Sequence, residues 1–156
     1  MRTLRNTMLT GIIVLAVGIF TGCSPKDDLS IAKKGYLELD KKITVGQALD
    51  GYKYFGKKEW QAVKTPQGAR LVILKTDMNP QFIKEINEVC GKADPQQKKI
   101  ESQKWSIQLT VSEDEKVHIS GTQTLSIFAD KTQKAGSLNE PLMLSVYKNE
   151  LAAVCK

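Results

Sequence analysis

The sequence predicts an α+β fold, in which an antiparallel β-sheet carries two short helices packed on one face. Two long segments in the second half of the chain alternate apolar and polar residues, as strands with one buried face do. Two earlier segments carry helix-capping residues followed by apolar residues at helical spacing. Helices gathered on one side of an antiparallel sheet define the α+β class.

The first predicted helix begins after Thr44. Gln47 stands three residues beyond Thr44, which is the spacing of a capping box. Gly46 and Gly51 each cost a helix about 1 kcal/mol relative to alanine, so we expect a short helix that is held by packing. Its apolar residues recur at helical intervals and share one face: Val45, Ala48, Leu49, Tyr52 and Phe55.

A β-hairpin is predicted next, from residues 59–65 and 69–75. The turn between them contains Pro66 and Gly68; proline presets a turn dihedral, and glycine tolerates a positive φ. Trp60 shares one face of the first strand with Ala62. A short strand is also predicted earlier, at 36–39, where the residues partly alternate.

A second helix is predicted to begin at Asn79 and Pro80, because asparagine caps helices and proline suits the first helical position. Cys90 lies near its end, and Gly91 is predicted to stop it. Its apolar stripe is Phe82, Ile83, Ile86 and Val89. Residues 92–103 are predicted to be a polar connection.

Residues 105–111 give the best evidence for a strand, because apolar and polar residues alternate strictly there. A polar turn at 113–116 leads into a second alternating strand. The two strands predict an antiparallel pair with one solvated side. On the second strand the alternation places on one face Val117, Ile119, Gly121, Leu125 and Ile127.

The end of the chain is ambiguous. Residues 131–139 are predicted to be a loop of small and polar residues. Beyond Pro141, the spacing of Leu142, Leu144 and Val146 fits a strand, followed by a second strand at 151–155. The spacing of Leu142, Val146 and Glu150 fits a helix as well. We prefer two strands.

The N-terminal segment has the organisation of a secretory signal. Arg2 and Arg5 precede an uncharged apolar run at 8–20. As a helix this run spans about 20 Å, against a hydrocarbon core of about 30 Å. Ile19 to Cys23 resembles a bacterial lipobox. An ordinary cleaved signal and an uncleaved anchor are the alternatives.

The resemblance to bacterial lipoproteins implies that Cys23 becomes the acylated N-terminus and anchors the protein to a membrane of the cell envelope. In a two-membrane cell, Ser24 after that cysteine implies the outer membrane, with the domain facing the periplasm. The predicted organisation is then a signal peptide at 1–22, a lipidated polar tether at 23–34 and a single domain at 35–156.

Cys90 and Cys155 remain if Cys23 carries lipid. An exported protein meets an oxidising compartment, so an even remainder predicts a disulfide. A redox pair or a metal site is the alternative, but the sequence has no Cys-x-x-Cys and only one histidine, His118.

A further resemblance covers scattered residues of the first half of the domain. The run 44–48, the aromatic group at 52–55, Trp60, Gly68 and Val72 are similar to a small domain of bacterial envelope lipoproteins. The strand at 105–111 is similar to the later hairpin of that domain. The resemblance implies a compact fold that faces the periplasm, and it carries over no catalytic residue.

Composition and motifs argue against several classes of function. Without residues 1–22 the chain has 21 basic and 17 acidic side chains, a net charge of +4, and the lysines are dispersed. We therefore expect a solvated basic surface and no nucleic-acid partner. His118 lies on a polar strand face, and the sequence lacks a nucleophile elbow, a phosphate-binding glycine loop and a calcium loop. No catalytic residue, metal or cofactor is predicted.

Four aromatic residues are the candidate interface, because aromatic side chains are common anchors of protein–protein contacts. In a domain this small, packing in the core is the default alternative. The four residues are Tyr52, Tyr54, Phe55 and Trp60.

The sequence thus predicts a lipid-anchored, non-enzymatic binding or assembly module for an envelope protein or a cell-wall component. The alternative is an inhibitor or exclusion factor that acts on an incoming enzyme or on conjugation machinery.

Overall fold

A computed structural model describes residues 25–152 and residue 155. The predicted signal peptide, 1–22, and the predicted lipidation site, Cys23, lie outside the described residues. The predictions of secretion and lipidation therefore stay predictions.

Five antiparallel strands form one sheet, in which every strand pairs with its neighbour in sequence. The strands are β1 (Phe55–Lys64), β2 (Arg70–Met78), β3 (Ile100–Val111), β4 (Val117–Phe128) and β5 (Gln133–Gly136). The helices are α1 (Pro25–Lys34), α2 (Val45–Gly51), α3 (Pro80–Ala93) and α4 (Glu140–Tyr147). The predicted α+β class is confirmed, with four helices in the described part of the chain where two were predicted.

One face of the sheet and all four helices build a single core. Each helix contributes buried residues to it, among them Ala32, Leu49, Phe82 and Val146. The other face of the sheet, which we call the uncovered face, has no buried residue among those described. On the three central strands its residues include Leu71, Ile73, Lys75, Asp77, Ser102, Lys104, Ser106, Gln108, Thr110, His118, Gly121, Gln123, Leu125 and Ile127.

Residues 25–34 are helix α1, so the prediction of a polar tether there is wrong. Ala32 is fully buried, and Asp28 is only 2% exposed. The Asp28 carboxylate accepts a hydrogen bond from Nε of Arg70 at 2.7 Å and lies 2.6 Å from Nη2 of the same guanidinium. The folded domain therefore includes residues 25–34 and does not begin at residue 35.

Helix α2 has the predicted capping box. The Thr44 hydroxyl accepts from the Gln47 amide at 3.1 Å, and the Gln47 side chain accepts from the Thr44 amide at 2.9 Å. Gly46 also has a structural reason, because a Cβ there would lie 2.8 Å from the Lys33 carbonyl oxygen. Because Gly46 has no Cβ, α2 can lie directly against α1.

The segment before α2 is a turn instead of the predicted strand. Leu37 and Asp40 form only an isolated bridge. Leu37 is buried, whereas Tyr36 is exposed. Residues 37–40 form a tight turn, and this turn is too short to contain a strand that pairs with the sheet.

Helix α3 begins as predicted, with the Asn79 side chain accepting from the Phe82 amide at 2.9 Å. It continues past Gly91 and ends at Ala93, where the amide of Asp94 donates to the Cys90 carbonyl. The predicted polar connection is correspondingly shorter, because strand β3 already starts at Ile100.

The pairing of β3 with β4 shifts at two points, and the second of them, between Gln108 and Leu109, changes the face of β4. Leu109 pairs with Ile119, whereas Gln108 pairs with Gly121, so Ser120 is an extra residue in β4. Such a β-bulge reverses the side to which the following residues point.

The bulge corrects the predicted face of β4. Leu125 pairs with Lys104 and therefore lies on the uncovered face, and Ile127 lies there with it. The prediction that both share a face with Val117 is wrong. Thr124 pairs with the buried Trp105 and turns toward the helices instead.

The C-terminal region differs from the preferred prediction. Residues 133–136 form β5 inside the predicted loop, and they pair with residues 124–127 of β4. Residues 140–147 form α4 instead of a strand. The Asn139 side chain accepts from the Leu142 amide at 3.3 Å and caps this helix, and the buried Val146 holds it on the core.

Candidate functional site

The uncovered face contains a trough of about 880 Å³. It runs across β1 to β5 toward the end of the sheet that carries the turn 129–132. We call it the sheet-face trough. The uncovered-face residues that line it are Glu59, Lys75, Asp77, Lys104, Ser106, Gln123, Leu125 and Ala135, and Lys57 lies at its rim.

Strand register places these side chains in two rows. One row runs across four strands as Glu59, Lys75, Ser106 and Gln123. The adjacent row runs from Asp77 through Lys104 and Leu125 to Ala135. Side chains directly opposite each other on neighbouring strands have Cβ atoms about 5 Å apart. The trough is therefore a continuous polar floor that ends in an apolar wall on β4 and β5.

Two of the trough lysines are paired with carboxylates. Nζ of Lys57 lies 2.6 Å from Glu59, and this hydrogen bond and charge lower the pKa of Glu59 below its ordinary value. Nζ of Lys104 lies 3.7 Å from Asp77. Lys75 stands between these pairs and, within the described part of the chain, has no carboxylate in ion-pair distance. Its ammonium is thus available to a ligand.

Three of the four predicted interface residues lie in the core. Tyr52, Tyr54 and Phe55 are 1%, 3% and 6% exposed. Their rings meet edge to face, at centroid distances of 5.5 Å for Tyr52 with Tyr54 and 4.8 Å for Tyr52 with Phe55. Trp105 completes the cluster at 5.7 Å from Phe55. The prediction that these three anchor an interface is wrong for this conformation, because burial removes them from any partner.

The fourth predicted residue, Trp60, is half-buried where α1, α2 and β1 meet. Its indole Nε1 donates to Asp50 at 2.8 Å, and Nζ of Lys33 lies 4.6 Å above its ring. The same Lys33 pairs with Asp50 at 2.9 Å. Through the cation–π contact with Lys33 and the hydrogen bond to Asp50, the indole of Trp60 connects β1 to α1 and α2.

The hydroxyl groups of Tyr52 and Tyr54 form hydrogen bonds to other parts of the fold, Tyr52 to the C-terminal segment and Tyr54 to α3. Tyr52 donates to the Glu150 carbonyl at 2.9 Å and accepts from the Ala152 amide at 3.3 Å. Tyr54 donates to the carboxylate of Glu85, and that hydrogen bond, followed by burial, raises the pKa of Tyr54 to about 12. Both hydroxyls stay protonated near neutral pH and serve structure.

A second cleft, of about 730 Å³, lies on the helix side between α3, β3 and β5. Nε1 of Trp105 donates to Gln103 at 2.9 Å, and the Gln103 amide donates to the Ser126 hydroxyl at 2.8 Å. These side chains satisfy one another.

The turn at the mouth of this cleft supplies a test by titration. Asp130 is hydrogen-bonded by Lys98 and Thr132, which lowers its pKa from 3.8 to about 2. A lowered carboxyl pKa stabilises the fold above the unfolded-state value, and that contribution is lost as pH falls toward 2. We expect carbon-detected NMR to show Asp130 titrating near 2, and Lys98→Gln to move the value toward 3.8. An ordinary value in the unsubstituted protein would contradict this.

The remaining polar candidates lie apart from one another. His118 is exposed on the uncovered face, near the β3–β4 turn, and the acidic turn 113–115 is exposed as well. Asp114 pairs with Lys116 at 2.5 Å, and its hydrogen bonds to Lys116 and Ser112 lower its pKa to about 2. Within residues 25–152 and 155, no three metal-ligating side chains come together.

The cysteine prediction is met by the structure. Sγ of Cys90 lies 2.11 Å from Sγ of Cys155, so a disulfide joins α3 to the C-terminal segment. Cys23, the predicted lipidation site, lies outside the described residues.

Sequence reasoning missed the sheet-face trough, although its residues were visible as polar positions on alternating strands. Lys75 and Asp77 follow the apolar run of β2, and Lys104 precedes Trp105. That these lysines and carboxylates line one trough follows only from the pairing of the strands.

Comparisons with protein-family models, with curated proteins and with solved structures found no match to this chain. Of the helices in the described residues, none is long and apolar enough to cross a bilayer.

Proposed function

We propose that this protein is a lipid-anchored, non-enzymatic binding module of the bacterial cell envelope, and that it holds a protein partner in the sheet-face trough. Anchoring is supported by the lipobox-like run 19–23, and a location outside the cytosol is supported by the disulfide between Cys90 and Cys155. Disulfides persist in the oxidising compartments outside the cytosol.

The observation that carries the binding role is the uncovered face of the sheet. Side chains from all five strands converge on the trough, and the helices in the described part of the chain pack on the other side of the sheet. A trough of this size with a polar floor and an apolar wall has the make-up of a binding site.

The charges favour a protein over a cell-wall glycan as the partner. Lys57, Lys75 and Lys104 alternate with Glu59 and Asp77 across the trough. Charges of both signs in a fixed order select a partner whose charges are in the complementary order. The trough's uncovered-face side chains include no aromatic ring on which a sugar would stack.

A charge reversal at Lys75 tests the proposal. We expect Lys75→Glu to weaken binding of the partner at least about 10-fold, because like charges brought together in an interface cost several kcal/mol and each 1.4 kcal/mol is a factor of ten. The partner is isolated by cross-linking in intact envelopes, and its affinity for purified protein is then measured by calorimetry.

Lys92→Glu is the matched control. Lys92 is exposed at the end of α3 on the helix side and, like Lys75, has no ion pair in the described part of the chain. We expect it to bind as the unsubstituted protein does. Equal affinity of all three proteins would refute the trough as the site, and retention only by purified cell-wall material would favour a glycan ligand.

A further inference from the structure

We infer that the domain rests directly on the bilayer surface, with one particular end of the sheet against the lipid headgroups. This end, the hairpin-tip end, consists of the β1–β2 turn at 65–69, the β3–β4 turn at 112–116 and the first turn of α1. The inference rests on the proposed acylation of Cys23.

The chain between the proposed lipid and the folded domain has almost no slack. Only Ser24 separates Cys23 from Pro25, the first residue of α1. An extended chain spans at most about 3.6 Å per residue, so the first Cα of α1 lies within about 7 Å of the Cα of Cys23.

Helix α1 is fixed to the sheet and cannot serve as a hinge. The Asp28 carboxylate is buried against the Arg70 guanidinium, with N–O distances of 2.7 and 2.6 Å. Ala32 is fully buried, and Lys33 pairs with Asp50 of α2 at 2.9 Å. The position of Pro25 is therefore set by the domain.

The ion pair also locates the start of α1 on the sheet. Arg70 is the first residue of β2, and its Nη1 donates to the carbonyl of Ser112, which follows β3, at 3.1 Å. At 1.5 Å per residue, Pro25 lies about 4.5 Å along the helix axis from Asp28. The start of α1 thus lies beside both hairpin turns.

These distances bring the hairpin-tip end into the headgroup layer, which is about 5–8 Å thick on each side of the hydrocarbon core. The exposed charged side chains of its two turns are of both signs, among them Glu113, Asp114 and Lys116. We therefore assign it to contact with zwitterionic headgroups at the surface, without insertion into the hydrocarbon.

This placement leaves the sheet-face trough open. Strand β3 has 12 residues, so the far end of the sheet stands about 40 Å above the hairpin-tip end. Lys75, five residues from the start of β2, stands about 17 Å above it. A partner that binds at Lys75 must therefore reach to within about 17 Å of the membrane surface.

Fluorescence quenching by headgroup-labelled lipid tests the orientation. The acylated full chain is reconstituted in phosphatidylcholine vesicles that contain nitroxide-labelled headgroups. One variant carries a fluorophore at Gln67→Cys in the β1–β2 turn, and another carries it at Ala129→Cys at the far end of the sheet; both positions are exposed. We expect strong quenching at position 67 and none at position 129.

The matched control inserts about 12 Gly-Ser residues between Ser24 and Pro25, which adds a flexible span of roughly 20 Å. We expect the insertion to keep the protein on the vesicle and to reduce quenching at position 67 several-fold. Equal quenching at both positions, with acylation of residue 23 verified by mass spectrometry, would overturn the orientation alone. Residue 23 found unmodified in protein from its host would overturn the proposed anchoring and this inference together.

Discussion

Replacing Arg70 with alanine is expected to lower the free energy of unfolding by about 3–5 kcal/mol. The substitution leaves the Asp28 carboxylate buried without a cation, and its side chain is only 3% exposed. Removing one partner of a buried ion pair costs this much because the remaining charge loses both its solvent and its counter-ion. The Arg70 guanidinium also donates to the Ser112 carbonyl, so the end of β3 loses a contact as well.

Urea unfolding measures the effect, and hydrogen exchange shows where it acts. We expect amides of α1 to lose more protection than those of β2 and β3, because α1 is the element that the pair fastens. An exposed pair is the control: Lys57→Ala removes a cation that lies 2.6 Å from Glu59 at the surface, and should change stability by less than about 1 kcal/mol.

A double substitution separates the charge from the packing. Asp28→Leu combined with Arg70→Met replaces both charges by apolar side chains, which is often neutral or stabilising. We expect the double variant to recover most of the stability lost in Arg70→Ala. An Arg70→Ala protein as stable as the unsubstituted one would mean that α1 is only loosely attached, as a tether would be.

That ion pair also explains why α1 escaped prediction. Residues 25–34 are mostly polar, and Asp28 looks like a surface residue until Arg70, 42 positions later, is brought to it. Thr44 and Asn79, by contrast, cap helices through partners three residues away, so the sequence alone suffices to place both helix starts. Capping signals between residues close in sequence can be recognised from the sequence, whereas contacts between residues far apart in sequence cannot.

The wrong prediction for residues 140–147, a strand in place of helix α4, has a different cause. Asn139 and Pro141 carry for α4 the same start signal that Asn79 and Pro80 carry for α3. The alternation of Leu142, Leu144 and Val146 favours a strand despite this start signal. A run this short does not separate the two-residue repeat of a strand from the repeat of a helix. Packing decided the outcome, since α4 buries Leu142 and Val146 on the core and leaves Leu144 half-exposed.

The candidate site could be predicted least. The alternation in β4 predicts a strand with one unbroken apolar face, but the extra residue Ser120 turns Leu125 to the uncovered face, where it forms part of the apolar wall of the trough. Three of the four predicted interface residues lie in the core for a related reason. Spacing placed Tyr52 and Phe55 on one helix face, but only the tertiary structure shows that this face is closed by Trp105.

Reduction of the disulfide between Cys90 and Cys155 is expected to lower the free energy of unfolding by about 4 kcal/mol, on the loop-entropy account. The bridge closes a loop of 65 residues, so it restricts the unfolded chain strongly. It also joins α3 to a C-terminal segment that hydrogen bonds from Tyr52 hold at Glu150 and Ala152.

Urea unfolding with and without a reductant gives the cleanest measurement, because reduction breaks the bridge without removing either side chain. The variant with both cysteines replaced by alanine should lose more, since Cys90 is buried and its truncation leaves a cavity. Tyr52→Phe in the reduced protein tests whether hydrogen bonds alone hold the C-terminal segment; we expect Ala152 to lose its exchange protection. If the oxidised and reduced proteins unfolded at the same urea concentration, the bridge would not be a determinant of stability, and the support that it lends to an oxidising compartment would weaken accordingly.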